Sequence, residues 1–148
     1  MFTVYEFANT KFDRRTFVFY NIIDDGETVE DRMLPHLLHR EINARDIYIE
    51  ELEIRRYVEE ALLGPVSPEC APLFSRDTRL RSLLYRNGVV YADLSEFAVL
   101  PPMEGMPLRD GTLIRNLQTL ENGIRRNFPT VKEVKLFING YKVDAVHS

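Results

Sequence analysis

Asn87-Gly88, flanked on both sides by alternating residues, sets a two-residue hairpin turn near the middle of the chain. Both central positions of such a turn need positive φ, which asparagine and glycine adopt at little cost. With the turn fixed, Tyr85 pairs with Val90, Leu83 with Ala92 and Arg81 with Leu94. That face is mostly apolar. The other face carries Leu80, Ser82, Leu84, Arg86, Val89, Tyr91 and Asp93, the mixture expected of an antiparallel pair buried on one side.

Two helices flank the hairpin. Ile47, Ile54, Tyr57, Val58, Ala61 and Leu62 recur at helical spacing, and Gly64-Pro65 stops the run. Glu51 precedes Arg55 by one helical step, the favourable order for a surface ion pair. Leu113, Leu117, Leu120, Ile124 and Phe128 form the stripe of a second helix from about Thr112, ended by Pro129. Gly123 inside it points to close backbone packing. Thr16 to Ile22 reads as a strand before the turn residues Asp24-Asp25-Gly26. Glu27 to Asp46 is polar, is broken by Pro35, and reads as irregular with short extended pieces. Val66 to Asp77 reads as a loop. Val131 to Ile138 gives a last strand, with Asn139-Gly140 turning into Tyr141-Lys142-Val143. The expected fold is α+β, a two-layer sandwich with two helices on one face of a small, mainly antiparallel sheet, in βαββαβ order. Residues 1–15 read as an N-terminal arm or extra strand, and residues 16–148 as the domain.

The bulk numbers narrow the functional classes. Hydrophobic residues are 45% and charged residues 28% of 148 positions, enough apolar material for one core. A formal charge of -4 argues against nucleic acid as partner, because phosphate backbones are held by clustered cations. Cys70 is the single cysteine, so an intrachain disulfide is impossible. No run reaches the roughly 20 apolar residues of a membrane helix, and no signal-peptide pattern opens the sequence. Membrane attachment is therefore expected only through an anchor outside this chain.

Four segments in order carry a resemblance. They are Thr16 to Asn21 followed by Leu34-Pro35 and Arg40-Glu41-Ile42; Ala61-Leu62-Leu63-Gly64-Pro65; Asn87-Gly88-Val89-Val90-Tyr91-Ala92-Asp93-Leu94-Ser95; and Phe128-Pro129-Thr130-Val131 through Phe137-Ile138-Asn139-Gly140. In this order and spacing they resemble the GerMN domain, also called the sporulation and spore germination domain. The resemblance covers roughly Thr16 to Val143. It implies a domain similar to the ring-building motif of secretion and sporulation machines. It also implies an extracytoplasmic, envelope-linked setting, no cofactor and no enzymatic activity. The segment Glu27 to Asp46 is more charged than the family's usual stretch.

The residues themselves support no complete catalytic set. His36 and His39, with Glu41 near, fall short of a zinc ligand count, and Cys70 and His147 are not spaced to complete it. Cys70 stands among Pro68, Glu69 and Pro72, where a carboxylate opposes thiolate formation. Asp93 and Ser95 lack a histidine placed for a triad and read as capping residues at the hairpin's end. The glutamates of the first helix form a solvated face. Arg76, Arg79, Arg81, Arg86, Tyr91, Arg125 and Arg126 remain as a candidate interaction surface, set against the plainer reading of ordinary ion pairs. Open sheet edges are a second candidate, through strand addition. The expected function is a non-catalytic interaction or scaffold domain with protein partners, self-association included. The alternative is a binding module for a cell-wall glycan or other anionic polymer, using Tyr85, Tyr91, Tyr141 and nearby arginines.

Overall fold

The computed structural model describes residues 12–22, 26–35, 46–106 and 109–143. Alternation of buried Phe17 and Phe19 with half-exposed neighbours makes Phe12–Asn21 a strand, β1. Glu27–Pro35 returns as β2, antiparallel, with Thr16 opposite Asp31. Helix α1 spans Asp46–Leu63, and the two-residue β3, Cys70–Ala71, pairs with β1. The hairpin is β4, Leu80–Arg86, with β5, Val89–Leu94. A short 3-10 turn at Glu96–Val99 leads through a loop to α2, Thr112–Asn127. The chain closes on β6, Glu133–Ile138, and β7, Tyr141–Lys142.

The α+β class and both helices stand as expected, while the strands divide into two sheets, β2-β1-β3 and β4-β5-β6-β7. β6 lies parallel to β5, and the other pairings are antiparallel. Both Asn-Gly pairs take the expected left-handed conformations, with φ of 54° and 77° at Asn87-Gly88 and 52° and 81° at Asn139-Gly140. The Gly88 carbonyl accepts the Lys132 and Glu133 amides, which starts β6 in register beside β5.

Three expectations are corrected. Glu27 to Pro35 is a regular strand of nine residues, although its only fully buried side chain is Leu34. An edge strand is held by main-chain pairing to one neighbour and needs little apolar side chain of its own. β1 begins at Phe12, so the last residues of the expected arm already pair in the sheet. Leu94 faces Leu80 and not Arg81, because a bulge between Leu80 and Ser82 takes up one residue; the Tyr85–Val90 and Leu83–Ala92 pairs hold.

One hydrophobic core joins the helices to both sheets. α1 lies along β4, and α2 along β6 and β1. At the centre the Tyr57 ring stacks on Phe17 at 4.6 Å and meets the edge of Phe128 at 5.9 Å. Its hydroxyl donates to the Thr16 carbonyl at 3.0 Å. Burial pushes this phenol well above its ordinary range, against the opposing pull of Arg126, the Asn127 side chain and Arg15.

That shift gives an alkaline signature. The unfolded chain releases the Tyr57 proton near pH 10.0, whereas the folded chain keeps it. Stability from this group is therefore complete below that pH and falls as pH rises through it. At about pH 11 the loss reaches about 1.4 kcal/mol. Tyr57→Phe loses the hydrogen bond to Thr16, about 1 kcal/mol at every pH, and, having no phenol to titrate, is spared the alkaline loss. The wild type's advantage over this variant, about 1 kcal/mol at pH 8, should fall by about 1.4 kcal/mol and so vanish or slightly reverse by about pH 11 in urea unfolding. A gap unchanged with pH would contradict the assignment.

Candidate interaction surface

The four-stranded sheet packs Leu83, Tyr85, Val90, Ala92, Leu94, Val134, Leu136 and Ile138 toward the helices. Period-two alternation then sends their neighbours to the opposite, open face. Register sets Leu84, Tyr91 and Lys135 in one row, and Ser82, Asp93, Phe137 and Lys142 in the next. Leu84 is 50% exposed, and the Lys135 ammonium lies 5.7 Å from the Tyr91 ring centre. Asp93 accepts the Gly140 amide at 2.9 Å and faces Arg81 at 3.6 Å. Ser95 accepts the Arg79 amide at 2.9 Å, so both polar residues after the hairpin tie strands together.

Two sheet edges are closed by side chains. The two-residue turn makes Arg86 and Val89 a hydrogen-bonded pair, so Leu83 and Tyr85 turn their N–H and C=O groups to the outer edge of β4. Glu51 accepts the Tyr85 amide at 2.8 Å, and Arg55 donates to the Leu83 carbonyl at 3.1 Å. Arg86 donates to the Tyr85 carbonyl at 2.7 Å and pairs with Glu51. Glu51 and Arg55 thus reach across to β4, where the sequence had suggested a pair with each other. On β1, the side of Thr16 away from β2 meets Asn127. The Thr16 amide donates to Asn127 Oδ1 at 2.9 Å, and Asn127 Nδ2 donates to the Thr16 carbonyl at 2.8 Å. Since Thr16 turns away from β2, its partner Asp31 turns its own N–H and C=O to the outer side of β2, as do Val29 and Met33.

The candidate arginines do not gather into one patch. Arg81 bonds Asn139 Oδ1 at 2.7 Å as well as facing Asp93. Arg86 is held by Glu51, and Arg125 pairs with Glu121 at 3.7 Å within α2. Arg79 donates to the Arg76 and Thr78 carbonyls. Arg76 and Arg126 are exposed, on the segment before β4 and on α2 respectively. Tyr91 alone of the seven sits central on the open face. Tyr85, expected to be exposed for a ligand, is 7% exposed and bonds Thr130; its place opposite Val90 turns it inward. Tyr141 is 76% exposed. Leu84, Phe137 and Lys135 had not been singled out, although the hairpin register already put Leu84 beside Tyr91.

His36, His39, Glu41 and His147 lie outside the described residues. Among the described residues no group of three or more histidine, cysteine, aspartate or glutamate side chains is placed to hold a metal. Cys70 is buried, its thiol 3.7 Å from Asn21 Oδ1. A cleft between α2 and β6, lined by Ile114, Leu117, Glu121, Val134 and Lys142, holds about 170 Å³, and a wider hollow between α1 and the end of α2, lined by Glu50, Glu53, Phe128 and Thr130, holds about 330 Å³, at the lower end of the roughly 300 to 1,000 Å³ of small-molecule sites. Among the described residues no helix is long and apolar enough to cross a membrane.

Comparison with known proteins agrees with this geometry. No curated protein sequence matches the chain. Among solved structures, the first GerMN domain of the sporulation protein GerM from Bacillus subtilis is 21% identical with a TM-score of 0.52, covering 86% of this chain and 85% of that one. The tandem GerMN domains of the same protein give 18% identity and a TM-score of 0.53, over 88% of this chain and 40% of the longer one. A candidate lipoprotein from Clostridium perfringens gives 14% identity and a TM-score of 0.53, over 88% and 78% of the two chains. At these identities the likeness is one of fold. Residues 18–144 match the family Germane, described as sporulation and spore germination. With that match spanning most of its length, the chain belongs to the Germane family of sporulation and spore germination domains, the GerMN type.

Proposed function

We propose that this chain is a non-catalytic protein-interaction and scaffold domain of a cell-envelope assembly of the sporulation or germination type. Its family is not a known enzyme family. The observation that carries the reading is the outer sheet face, where Leu84, Tyr91 and Phe137 lie on three adjacent strands with, among the described residues, no helix over them. An exposed leucine beside two half-exposed aromatic rings on a rigid sheet, interleaved with Lys135 and Asp93, suits protein docking better than a purely solvated face. An envelope setting is supported by the candidate lipoprotein among the fold relatives.

Size-exclusion chromatography with light scattering and a pulldown from envelope extract test this reading. Self-association or specific capture is expected, and Leu84→Asp with Tyr91→Ser should reduce it at least tenfold without unfolding the domain. A monomer that captures nothing would overturn the proposal. The second reading, binding of a cell-wall glycan or anionic polymer, draws on the same face through Tyr91 beneath Lys135 and on exposed Tyr141. Sedimentation with peptidoglycan at low salt, lost in Tyr91→Ser, would favour it.

A further inference from the structure

We infer that the outer edge of β2 is a strand-addition site for an extended segment of a partner protein, one that carries a cation with apolar residues two positions to either side. The inference rests on the interaction reading above but names a different surface. Of the sheet edges among the described residues, β4 is filled by Glu51, Arg55 and Arg86, and β1 is filled by Asn127 and β3. β3 and β7 are two residues each. β2 spans nine residues, and among the described residues nothing pairs with its outer side.

Edges of that length are commonly blunted by a bulge, a lysine, a proline or inward charges; β2 has the inward Glu30 and Arg32, which pair with each other, and Pro35 at its end, but no bulge and no lysine. Here the solvent-facing side chains of the edge are Glu27, Val29, Asp31 and Met33. Val29 and Met33 are each 55% exposed. Between them lies Asp31, which bonds the Thr16 hydroxyl and, among the described residues, faces no cation. A strand laid antiparallel along this edge would bond the outward N–H and C=O groups of Val29, Asp31 and Met33. Its side chains would meet an apolar, an acidic and an apolar position in turn, which sets the chemistry of the partner.

A second copy of this chain fits poorly. Two β2 edges meeting about a twofold axis can match Val29 with Met33 only in the register that sets Asp31 directly against Asp31. Shifting by one pairing step relieves that repulsion but sets Val29 against Asp31 and Glu27 against Met33. A cation in the central position of a foreign strand satisfies both demands at once.

The probe is a blocked seven-residue peptide of alternating threonine and valine with a central lysine, added to the full chain and read by residue-resolved amide exchange. At saturation, exchange at Val29, Asp31 and Met33 should slow at least tenfold, with Leu83 and Tyr85 unchanged. The same peptide with a central glutamate should give no protection, and Asp31→Lys should reverse the preference. Val29→Pro removes an outward N–H without taking a bond from β1, so it should abolish protection while the fold is kept. Absence of protection at millimolar peptide, protection at another edge, or indifference to the central charge would each overturn the inference. If assembly or capture by the wild-type chain still depends on Leu84 and Tyr91, the interaction reading stands and only the β2 site falls. If the peptide binds but nothing is captured and the chain is monomeric, the open-face reading falls instead.

Discussion

Gly123→Ala is expected to lower stability by about 2 to 3 kcal/mol, although alanine in an unobstructed helix interior would raise it by roughly 1 kcal/mol. A Cβ at this position would collide with the Tyr57 hydroxyl oxygen and meet its ring carbon at 3.3 Å. A phenol tip on the surface would swing aside. This one is 2% exposed, stacked on Phe17, edged by Phe128 and bonded to the Thr16 carbonyl. To clear the methyl group, the ring must leave its stack or α2 must back away from α1, and either loses packing through the centre of the core. Tyr57→Phe removes the oxygen that clashes and leaves the ring contact merely tight. In a double-mutant cycle the pair should therefore show about 1 to 2 kcal/mol of coupling, with Gly123→Ala far milder in the phenylalanine background. Chemical denaturation of the four proteins measures it. A Gly123→Ala protein as stable as the parent would mean that the helices are not pressed together at this point.

That glycine shows what a sequence gives up readily and what it keeps. Its presence inside an apolar stripe already pointed to close packing, because a helix accepts the cost only for a reason. The identity of what comes close, a tyrosine from the other helix, depends on how two helices cross, and no local pattern encodes that. The same division runs through the sheets. The Asn87-Gly88 turn and the alternation around it determined Tyr85 opposite Val90 and Leu83 opposite Ala92 before any coordinates. The bulge at Arg81 has no glycine to announce it. β2 went unread because an edge strand draws its stability from one neighbour's main chain, so Glu-Thr-Val-Glu-Asp-Arg-Met shows neither a greasy run nor a clean alternation.

The candidate interaction surface was legible in the same uneven way. Arginines stand out in a sequence, and seven positions were picked largely for charge. In the folded chain Arg81, Arg86 and Arg125 are matched by Asp93, Glu51 and Glu121, which is the ordinary fate of surface charge. The candidate docking residues on the outer face are Leu84, Tyr91 and Phe137: Tyr91 is one of the seven and faces Leu84 within the hairpin, whereas Phe137 comes beside them only once β6 lies parallel to β5. Parallel neighbours are joined through a helix and many intervening residues. Their register is a property of the whole domain, outside the reach of any window of sequence.

Asn127→Ala should cost about 2 to 3 kcal/mol, a large effect for a half-buried polar side chain at a helix end. The carboxamide occupies the place of a missing strand. Its oxygen takes the Thr16 amide, its nitrogen serves the Thr16 carbonyl, and the same nitrogen holds the Gly123 carbonyl at 2.8 Å in the last turn of α2. Alanine removes all three bonds and leaves the outer side of β1 unpaired where it crosses the helix. Asn127→Leu restores most of the volume without the hydrogen bonds, so it should be nearly as damaging if pairing is what matters. If packing alone matters, it should recover most of the loss. Amide exchange adds the local reading. The Thr16 amide should lose protection by at least tenfold in both variants, beyond the change in global stability, while Phe17 and Phe19, which bond to β2, should follow the global value. Equal behaviour of Thr16 and its neighbours would show that β1 does not need Asn127 to hold its edge. In that case the small sheet is fastened to the helices by the stacked Phe17, Tyr57 and Phe128 rings together with the Tyr57–Thr16, Tyr20–Thr119 and Arg32–Glu60 hydrogen bonds.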